Sequence, residues 1–333
     1  MKTEILNPTD ANYAKCAELI RSGELVAFPT ETVYGLGANA LCPEAVKKIY
    51  AAKGRPSDNP LIVHIDGVED VYKVAKYVPD KARTVIEKFM PGSVTVVLPK
   101  RPEIPDCVTG GLDTVAIRMP DHEVALRFIK ECGVPVCAPS ANTSTRPSPT
   151  AAMHVYDDLN GKIAAIIDGG TCNVGVESTV IDFADEMPRL LRAGGMPVEI
   201  LEAEIGGIRR EVKSDVPLCP GMKYKHYSPL ADVTVVMPGG AQCEKVSAAY
   251  DSFVNSGRKT VILAVSGHVG YYAGKNVVDM GKDSREYAHN LFAALRGCDK
   301  DGYDCAIAEG IGEEGYGLSV MNRLIKAAGG KTL

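Results

Sequence analysis

The sequence has no CxxC pair and no cluster of cysteine and histidine with the spacing of a zinc site. Its ten cysteines are scattered along the chain from residue 16 to residue 305. Scattered cysteines without a framework spacing are typical of reduced, mostly buried thiols in a reducing compartment. The sequence therefore predicts neither a disulfide-bonded scaffold nor a zinc finger.

Long apolar runs are absent too. Residues 1–12 contain no apolar stretch behind a basic start, so they do not resemble a secretory signal. The longest apolar runs, such as Val261–Val265, have the length of a strand and are too short to span a bilayer. These absences predict a soluble, cytoplasmic protein that makes no use of a membrane.

Positive charge is not in excess, and the formal net charge is −5. This balance argues against a broadly basic nucleic-acid surface, but it allows a local basic pocket for a small anion. The GxSxG, HExxH, Walker A and kinase DFG motifs are all missing. A GxGxxG string begins at Gly35 but is broken, because Ala40 stands where the last glycine is expected.

The 333 residues are enough for two domains. Residues 1–205 alternate short strands with helices, which predicts an α/β domain. Residues 206–231 are rich in proline and glycine without a clear period, which predicts a long linker. Residues 232–333 restart a βα pattern, which predicts a small Rossmann-like α/β domain with a parallel sheet.

The predicted elements follow from β-branched runs, helical periodicity and turn residues at their borders. The strands of the first domain are predicted at Leu25–Phe28, Leu61–Ile65, Val94–Leu98, Thr114–Arg118, Val134–Ala138, Ile163–Asp168 and Ser178–Asp182. Its helices are predicted at Ala11–Ser22, Pro43–Ala52, Lys81–Phe89 and His122–Cys132, with N-caps at Asp10, Asp80 and Asp121 and C-terminal glycines at Gly23 and Gly133. In the second domain, strands are predicted at 233–237, 260–265, 276–280 and 304–310, and helices at Gln242–Ser256, Ser284–Gly297 and Leu318–Ala328.

Six segments place polar or charged residues at predicted strand ends or in the linker, where α/β sheets usually bind ligands. They are Pro29–Gly37, Lys53–Leu61 with His64, Thr114–Pro120, Ala138–Asn142 with the loop to Ser148, Gly175–Val180 with Leu191–Gly194, and Pro220–Pro229.

Each segment taken alone has two interpretations. The loop from Lys53 is stiff and positive and suits a triphosphate, because arginine forks onto phosphate oxygens, but it also fits a solvated turn. Arg118 ends an apolar strand either as a surface residue or as a carboxylate clamp, and His64 is either a core histidine or a ligand. The remaining segments read as polar substrate contacts or as ordinary turns, and the linker as a lid or a tether.

Taken together and in order, the six segments resemble the threonylcarbamoyl-AMP synthase family, which is built on the YrdC-type domain. The resemblance covers nearly the whole chain, and residues 220–229 and 317–329 resemble its long two-domain form. It implies that residues 1–205 form a catalytic domain with a YrdC-type twisted mixed sheet and helices, and that the linker of residues 206–231 covers the active site. It also implies synthesis of L-threonylcarbamoyl-AMP from L-threonine, bicarbonate or CO₂ and ATP, with release of pyrophosphate. That reaction is the first step of N6-threonylcarbamoyladenosine formation at position 37 of tRNA.

The resemblance also implies the site residues. Those that hold L-threonine are Thr32, His64, Arg118, Ala138 and Ser178, with Arg118 pairing the substrate carboxylate. Those that hold ATP are Arg55, Asn59, Thr114, Ser140, Ser148, Arg192 and Tyr224 or a neighbour of Tyr224 in the linker. Lys53 and Arg55 are the implied catalytic cations. Mg²⁺ is implied as a cofactor held mainly by the phosphates of ATP and by water, with no metal ligand from the protein.

The implied partners are the small substrates and, downstream, the threonylcarbamoyl-transferase complex that modifies tRNA. Three rival functions remain. A tRNA-binding module is disfavoured by the net acidity. A carbamoyltransferase related to hydrogenase maturation would carry zinc-finger-like cysteine motifs, which the sequence lacks. A nucleotide sensor without turnover would release no pyrophosphate.

Overall fold

The computed structural model describes residues 2–210, 216–221 and 226–333. Its Cα positions divide the described residues into two compact units. Unit 1 takes those within Met1–Ser144, Pro149–Asn173 and Glu177–Lys223, and unit 2 takes those within Thr145–Ser148, Val174–Val176 and Tyr224–Leu333. The domain limits 1–205, 206–231 and 232–333 stay a prediction.

Unit 1 combines strands with helices throughout its described length. Strands β1 to β10 are Glu4–Leu6, Val26–Phe28, Gly35–Asn39, Ile62–His64, Val94–Pro99, Thr114–Arg118, Val136–Ala138, Ala165–Ile167, Thr179–Asp182 and Arg189–Arg192. Helices α1 to α8 are Asp10–Arg21, Pro43–Lys53, Val71–Val74, Asp80–Phe89, Asp106–Thr109, Glu123–Cys132, Ala152–Leu159 and Val198–Ile205.

The strands form one mixed sheet in the order β1-β8-β2-β3-β7-β4-β6-β5-β9-β10. Strands β4 and β6 run parallel, with His64 opposite Arg118, so these two residues end their strands at the same edge. Strand β5 is antiparallel to β6 and parallel to β9, which brings the start of β9 to that edge as well. The predicted mixed α/β architecture is confirmed.

Helices α1 and α6 cover part of this sheet. Ile20 on α1 and Phe128 on α6 are fully buried and belong to one apolar cluster with Val26 and Phe28 of β2. The rings of Phe28 and Phe128 lie 5.3 Å apart. Burying a side chain of this size stabilises the fold by roughly 1.5–3 kcal/mol, so this cluster anchors the β2 end from which the Pro29–Tyr34 loop departs.

The helix ends differ from the predictions by one residue. The N-cap of α1 is Thr9, whose Oγ1 accepts from the N–H of Asn12, and Asp10 is the first helical residue. Asp80 likewise begins its helix after Pro79, and Asp121 lies one residue before the N-cap His122. An aspartate in the first turn still favours the positive end of the helix dipole, which explains the similar sequence signal. Gly23 and Gly133 have the expected left-handed backbone, with φ of 81° and 65°.

Strand β3 was not predicted, because Gly35 and Gly37 favour a loop in the sequence. In the structure it pairs with both β2 and β7. The ring of Phe28 lies against these glycines, and a Cβ added to Gly37 would stand 3.1 Å from it and 3.0 Å from Val136 Cγ1. The glycines therefore serve close packing on a strand. Strands β1 and β10 were also missed.

Unit 2 has the predicted parallel α/β arrangement. Its strands β11 to β14 are Asp232–Val236, Thr260–Ala264, Val277–Asp279 and Cys305–Glu309, and its helices α9 to α11 are Gln242–Asn255, Ser284–Lys300 and Gly317–Ala327. All pairings in the order β11-β14-β12-β13 are parallel. No helix within the described ranges combines the length and apolarity needed to cross a membrane.

Gly194 yields a prediction about stability. It follows β10 and lies so close to the chain before β9 that an added Cβ would stand 2.2 Å from the carbonyl carbon of Ser178. Gly194→Ala should lower the free energy of unfolding by about 1–3 kcal/mol, because backbone must move. The midpoint of urea unfolding, followed by far-UV circular dichroism, measures this change.

Gly297→Ala is the matched control. Gly297 lies inside α10 with no atom within 4 Å of an added Cβ. Alanine there should raise the unfolding midpoint slightly, since it favours a helix by up to about 1 kcal/mol over glycine. Equal midpoints for Gly194→Ala and the native chain would contradict the close approach.

Candidate active site

Buried polar side chains gather on one face of the unit 1 sheet. Residues paired directly across strands share a face, so His64 and Arg118 project to the same side. Thr95 pairs with Val180, and Ser178 lies two residues before Val180, so it projects to the side of Thr95. The hydroxyl oxygens of Thr95 and Ser178 lie 2.7 Å apart, within hydrogen-bond distance. Strand register thus brings residues from four strands to one surface.

Arg118 is the most heavily engaged residue of this surface and is 4% exposed. Its Nη1 donates to Oγ1 of Thr32 at 2.8 Å, and its Nε donates to the carbonyl of Gly92 at 3.3 Å. Its Nη2 forms an ion pair with Glu31 Oε2 at 2.6 Å. Thr32 and Arg118, which the sequence resemblance places together, are therefore in direct contact.

Glu31 is the functional residue that the sequence reasoning missed. It is buried, and its Oε1 accepts a hydrogen bond from the hydroxyl of Ser93 at 3.2 Å. The signal was present, because a buried arginine needs a counter-charge and Glu31 lies inside the Pro29–Gly37 segment. The charge of Arg118 is thus already balanced by the protein itself.

His64 is buried beside Arg118 and is 4% exposed. Its Nδ1 lies 3.1 Å from the carbonyl oxygen of Ile62, and its ring stands edge-on to Phe28. Burial, and then the charge of Arg118, lower the pKa of His64 to about 3. The imidazole is therefore neutral near pH 7, and its Nδ1 carries the proton when it is bonded to the carbonyl.

Arg192 joins two parts of the predicted site. Its Nε donates to the carbonyl of Ser178 at 3.1 Å, and its Nη2 donates to the Ser178 hydroxyl at 3.2 Å. Its Nη1 donates to the carbonyl of Pro220 at 3.1 Å. A residue implied for the nucleotide therefore touches one implied for threonine, and it also holds the predicted linker.

Apolar residues of the same face form a patch around this polar group. Cys219 and Leu218 of the predicted linker pack on this patch, so described linker residues lie over the same face of the unit 1 sheet. The patch consists of Ile62, Val97, Ala116, Val180 and Leu191 together with these two residues.

Lys53 supports a neighbouring loop. It ends α2, is buried, and its ammonium donates to the carbonyls of Ser140 and Asn142. The carbonyl of Lys53 accepts from the N–H of Ser144 at 2.8 Å, and the Ser140 hydroxyl bonds to Asn142 Oδ1. These contacts give Lys53 a clear role in shaping the loop that presents Ser140.

The loop after Lys53 carries Arg55 and Asn59. Arg55 is half-buried, and its Nη2 lies 3.4 Å from the carbonyl of Pro60. Asn59 is 1% exposed, and the hydroxyl of Tyr50 donates to its carbonyl at 2.8 Å. Its side-chain Oδ1 has no hydrogen-bond partner among the described residues. A buried, unsatisfied amide oxygen favours a ligand that donates to it.

The remaining predicted site residues are Thr114, Ala138, Ser148 and Tyr224. Thr114 begins β6, about 13 Å along the strand from Arg118 at 3.3 Å per residue. Ala138 is buried opposite Ile62 on β4. Ser148 falls in unit 2, and Tyr224 lies outside the described residues.

Two protein-family models match the chain and define the class of protein to which it belongs. The family model described as telomere recombination, Sua5_yciO_yrdC, matches residues 18–194. A second model, the C-terminal domain of threonylcarbamoyl-AMP synthase, matches residues 196–329. The first model covers more than half of the chain and corresponds to the mixed sheet that carries the site.

Individual relatives match over nearly the full length. The threonylcarbamoyl-AMP synthase of Pyrococcus abyssi (strain GE5 / Orsay) is 50% identical, over 94% of this chain and 93% of the relative. The Bacillus subtilis (strain 168) synthase is 46% identical, over 99% and 97%. The crystal structure of P. abyssi Sua5 complexed with L-threonine superposes with a TM-score of 0.95 at 47% identity, over 99% of both chains. The chain therefore belongs to the threonylcarbamoyl-AMP synthase family, as its motifs predict.

The low pKa of His64 predicts a pH dependence of stability. An unfolded histidine titrates near 6.5 and the folded one at about 3, so the unfolded state binds more protons between these values. The contribution of neutral His64 is complete above pH 6.5 and is lost as pH falls toward 3. Urea midpoints of the native chain and of His64→Gln should therefore converge between pH 7 and pH 4.

The difference between the two proteins isolates His64 from other titrating groups. A constant difference across this pH range would contradict a buried neutral imidazole. Imidazole nitrogen shifts, recorded by NMR at pH 5, should also show a neutral ring that is missing from the spectrum of His64→Gln.

Proposed function

We propose that this protein joins L-threonine, bicarbonate or CO₂ and ATP into L-threonylcarbamoyl-AMP and releases pyrophosphate. The reaction would take place on the face of the unit 1 sheet that carries His64, Arg118 and Ser178, which we call the substrate face. The enzyme would thus be a nucleotidyltransferase. The observation that carries the proposal is the buried polar group on one face of the sheet, in which Arg118 bonds Thr32 and lies opposite His64, and Arg192 bonds Ser178. Family membership gives this group its chemistry.

L-Threonine would bind at Arg118. A guanidinium has five N–H donors, and Glu31, Thr32 and Gly92 engage three of them. Two donors remain for the substrate carboxylate, in a charge-assisted pair. Neutral His64 would line the pocket without competing as a second cation. Ala138 and Ser178 complete the proposed set.

ATP would bind toward Arg55 and Arg192. The two guanidinium groups suit phosphate oxygens, and Asn59 Oδ1 is an acceptor for a donor on the nucleotide. Lys53 would act from behind the Ser140 loop, which it holds by two carbonyl contacts. The family resemblance also implies Thr114, Ser148 and Tyr224 as nucleotide contacts.

The substrate form of the nucleotide would be MgATP. Glu31, a carboxylate of this polar group, is already engaged by Arg118. Mg²⁺ prefers octahedral oxygen coordination and retains several waters. We therefore assign it to phosphate oxygens and water, where it would neutralise charge, with no protein ligand.

The reaction needs alignment more than covalent catalysis. The amine of L-threonine captures CO₂ as a carbamate, whose oxygen attacks the α-phosphorus of ATP while pyrophosphate leaves. Displacement at phosphorus depends mainly on positioning and charge neutralisation, which arginines supply. The product is a mixed anhydride that water would destroy, so the packing of Cys219 and Leu218 over this face favours its survival.

The anhydride is an activated acyl donor and has to pass to a transferase. We propose that the downstream acceptor is the threonylcarbamoyl-transferase complex acting on adenosine-37 of tRNA. Direct tRNA binding by this chain is not required by the proposed step, and the net charge of −5 gives it no broad electrostatic support.

Omission of single substrates tests the function. Mass spectrometry should detect the adenylate, and pyrophosphate should accumulate, only when ATP, L-threonine and bicarbonate are all present. Pyrophosphate release that ignores threonine would contradict the proposal and indicate a plain ATPase.

Arg118→Ala should raise the KM for L-threonine by roughly 10–100-fold while changing the KM for ATP much less. The reason is the loss of a charge-assisted bond worth about 1.5–3 kcal/mol. Steady-state pyrophosphate release measures both constants. Arg101→Ala is the control, because Arg101 is a surface residue paired with Glu103. Equal increases in both KM values would argue against a carboxylate clamp.

Arg55→Ala should reduce kcat by roughly 100-fold or more, because one charge-stabilising group at the transition state is worth about that factor. The same assay, at saturating ATP and threonine, measures the change. Turnover within about threefold of the native rate would remove Arg55 from the catalytic group, whatever the result for Arg118.

A further inference from the structure

Unit 2 contains a cluster of metal-binding residue types that the proposed synthase reaction does not use. Within residues 2–210, 216–221 and 226–333, the ligand atoms of Cys243, His268 and Glu309 lie within 4.8 Å of one another. Oε1 of Glu309 lies 2.9 Å from His268 Nδ1 and 4.0 Å from Cys243 Sγ. A thiol sulfur, an imidazole nitrogen and a carboxylate oxygen, which are soft, borderline and hard metal ligands, thus lie close together.

The cluster lies where a parallel α/β sheet normally binds ligands. After β12 the chain continues to its neighbour β13, whereas after β14 it returns through α11 to pair residue 332 with Val235 on the outer side of β11. Connections that leave adjacent strands in opposite directions open a crevice at their carboxyl ends. Glu309 is the last residue of β14, and Val265 follows β12, so both border this crevice.

Glu309 is a fully buried carboxylate, with 0% exposure. Its Oε2 accepts from the N–H of Val265 at 2.8 Å, and its Oε1 accepts from the hydroxyl of Tyr272 and faces His268. These donors orient the carboxylate, but Val265 and Tyr272 contribute no positive charge. Burial of an anion is costly unless a cation accompanies it, and coordination of a metal is one of the ways proteins achieve this.

Cys243 is held toward the same crevice by the start of α9. It is the second residue of that helix and is half-buried. Its neighbour Gln242 donates from Nε2 to the carbonyl of Val236 at 3.0 Å and to that of Gly310 at 2.8 Å. These bonds tie the first turn of α9 to the ends of β11 and β14.

We propose that unit 2 binds one divalent transition metal of the zinc class through Cys243 Sγ, His268 Nδ1 and Glu309 Oε1. Zinc bonds of about 2.3 Å to sulfur and 2.0–2.1 Å to nitrogen and oxygen set ligand atoms about 3.3–3.6 Å apart in a tetrahedron. The observed separations of 2.9 Å and 4.0 Å from Glu309 Oε1 lie on either side of these values, and rotation of the Cys243 and His268 side chains would bring the ligand atoms to them. Because the His268 side chain is 39% exposed, a water molecule can reach the fourth position.

Charge and protons balance in this assignment. The Cys243 thiol releases its proton to solvent, and His268 binds the metal through Nδ1 with its one ring proton on Nε2. One thiolate, one carboxylate and a divalent cation then sum to zero, which removes the buried net charge. Tyr272 stays a hydrogen-bond donor to Glu309 and acts as a positioning residue for the ligand.

The test uses the full chain, stripped of metal with a chelator and then titrated with Zn²⁺ alone. Elemental analysis after desalting should find about one equivalent per chain. Co²⁺ in place of Zn²⁺ should give a thiolate charge-transfer band in the near ultraviolet. Cys243→Ser and His268→Ala should each lose this equivalent and this band, and Tyr272→Phe should weaken binding by about 10–100-fold.

Cys42→Ser is the matched control, because Cys42 is a half-buried cysteine of unit 1 outside the cluster. It should keep both the metal and the band. Circular dichroism establishes that each variant is folded. A native chain that binds no Zn²⁺ at micromolar concentrations, or a folded Cys243→Ser that binds as much as the native chain, would overturn the proposal. The readout is metal binding, so it is independent of the synthase assays.

Discussion

The contact between Arg118 and Glu31 is the interaction on which the substrate face depends. A buried guanidinium is tolerable only when its charge is balanced and its N–H groups are directed to acceptors. Glu31 supplies the balance, and Thr32 and Gly92 supply acceptors. The side chain is thereby fixed at the end of β6, next to a histidine whose pKa is lowered first by burial and then by this same charge. One ion pair thus sets both the geometry and the electrostatics of the pocket.

The register of the sheet places further polar side chains next to Arg118. Parallel pairing aligns β4 with β6 and β5 with β9, while the antiparallel β10 returns Arg192 to the same edge. The close approach of Gly194 to Ser178 holds the end of β10 against the start of β9. Side chains that are far apart in the sequence therefore share one face, because the pairing of their strands positions them. A rigid platform of this kind suits a reaction that relies on alignment.

Much of this was predictable from the sequence, and the failures have identifiable causes. Strands β5 and β6 were predicted correctly, because buried strands are rich in β-branched residues and this enrichment is visible in the sequence. Strand β3 was missed, since its glycines serve the packing of Phe28, which no local pattern reveals. The role of Glu31 depends on a partner in a distant strand. The proposed metal ligands are likewise too far apart in the sequence to match a metal motif. The chain connections after β12 and β14 bring Cys243, His268 and Glu309 together in the folded unit 2.

The bond from Arg192 to the carbonyl of Pro220 has a thermodynamic consequence. A ligand that takes over Nη1 of Arg192 has to compete with the main chain of the 216–221 segment for the same donor. Occupancy of the pocket and the docking of that segment are then linked functions, each shifting the other by the same free energy. Changes in the segment that leave every substrate contact intact would therefore still alter apparent affinity.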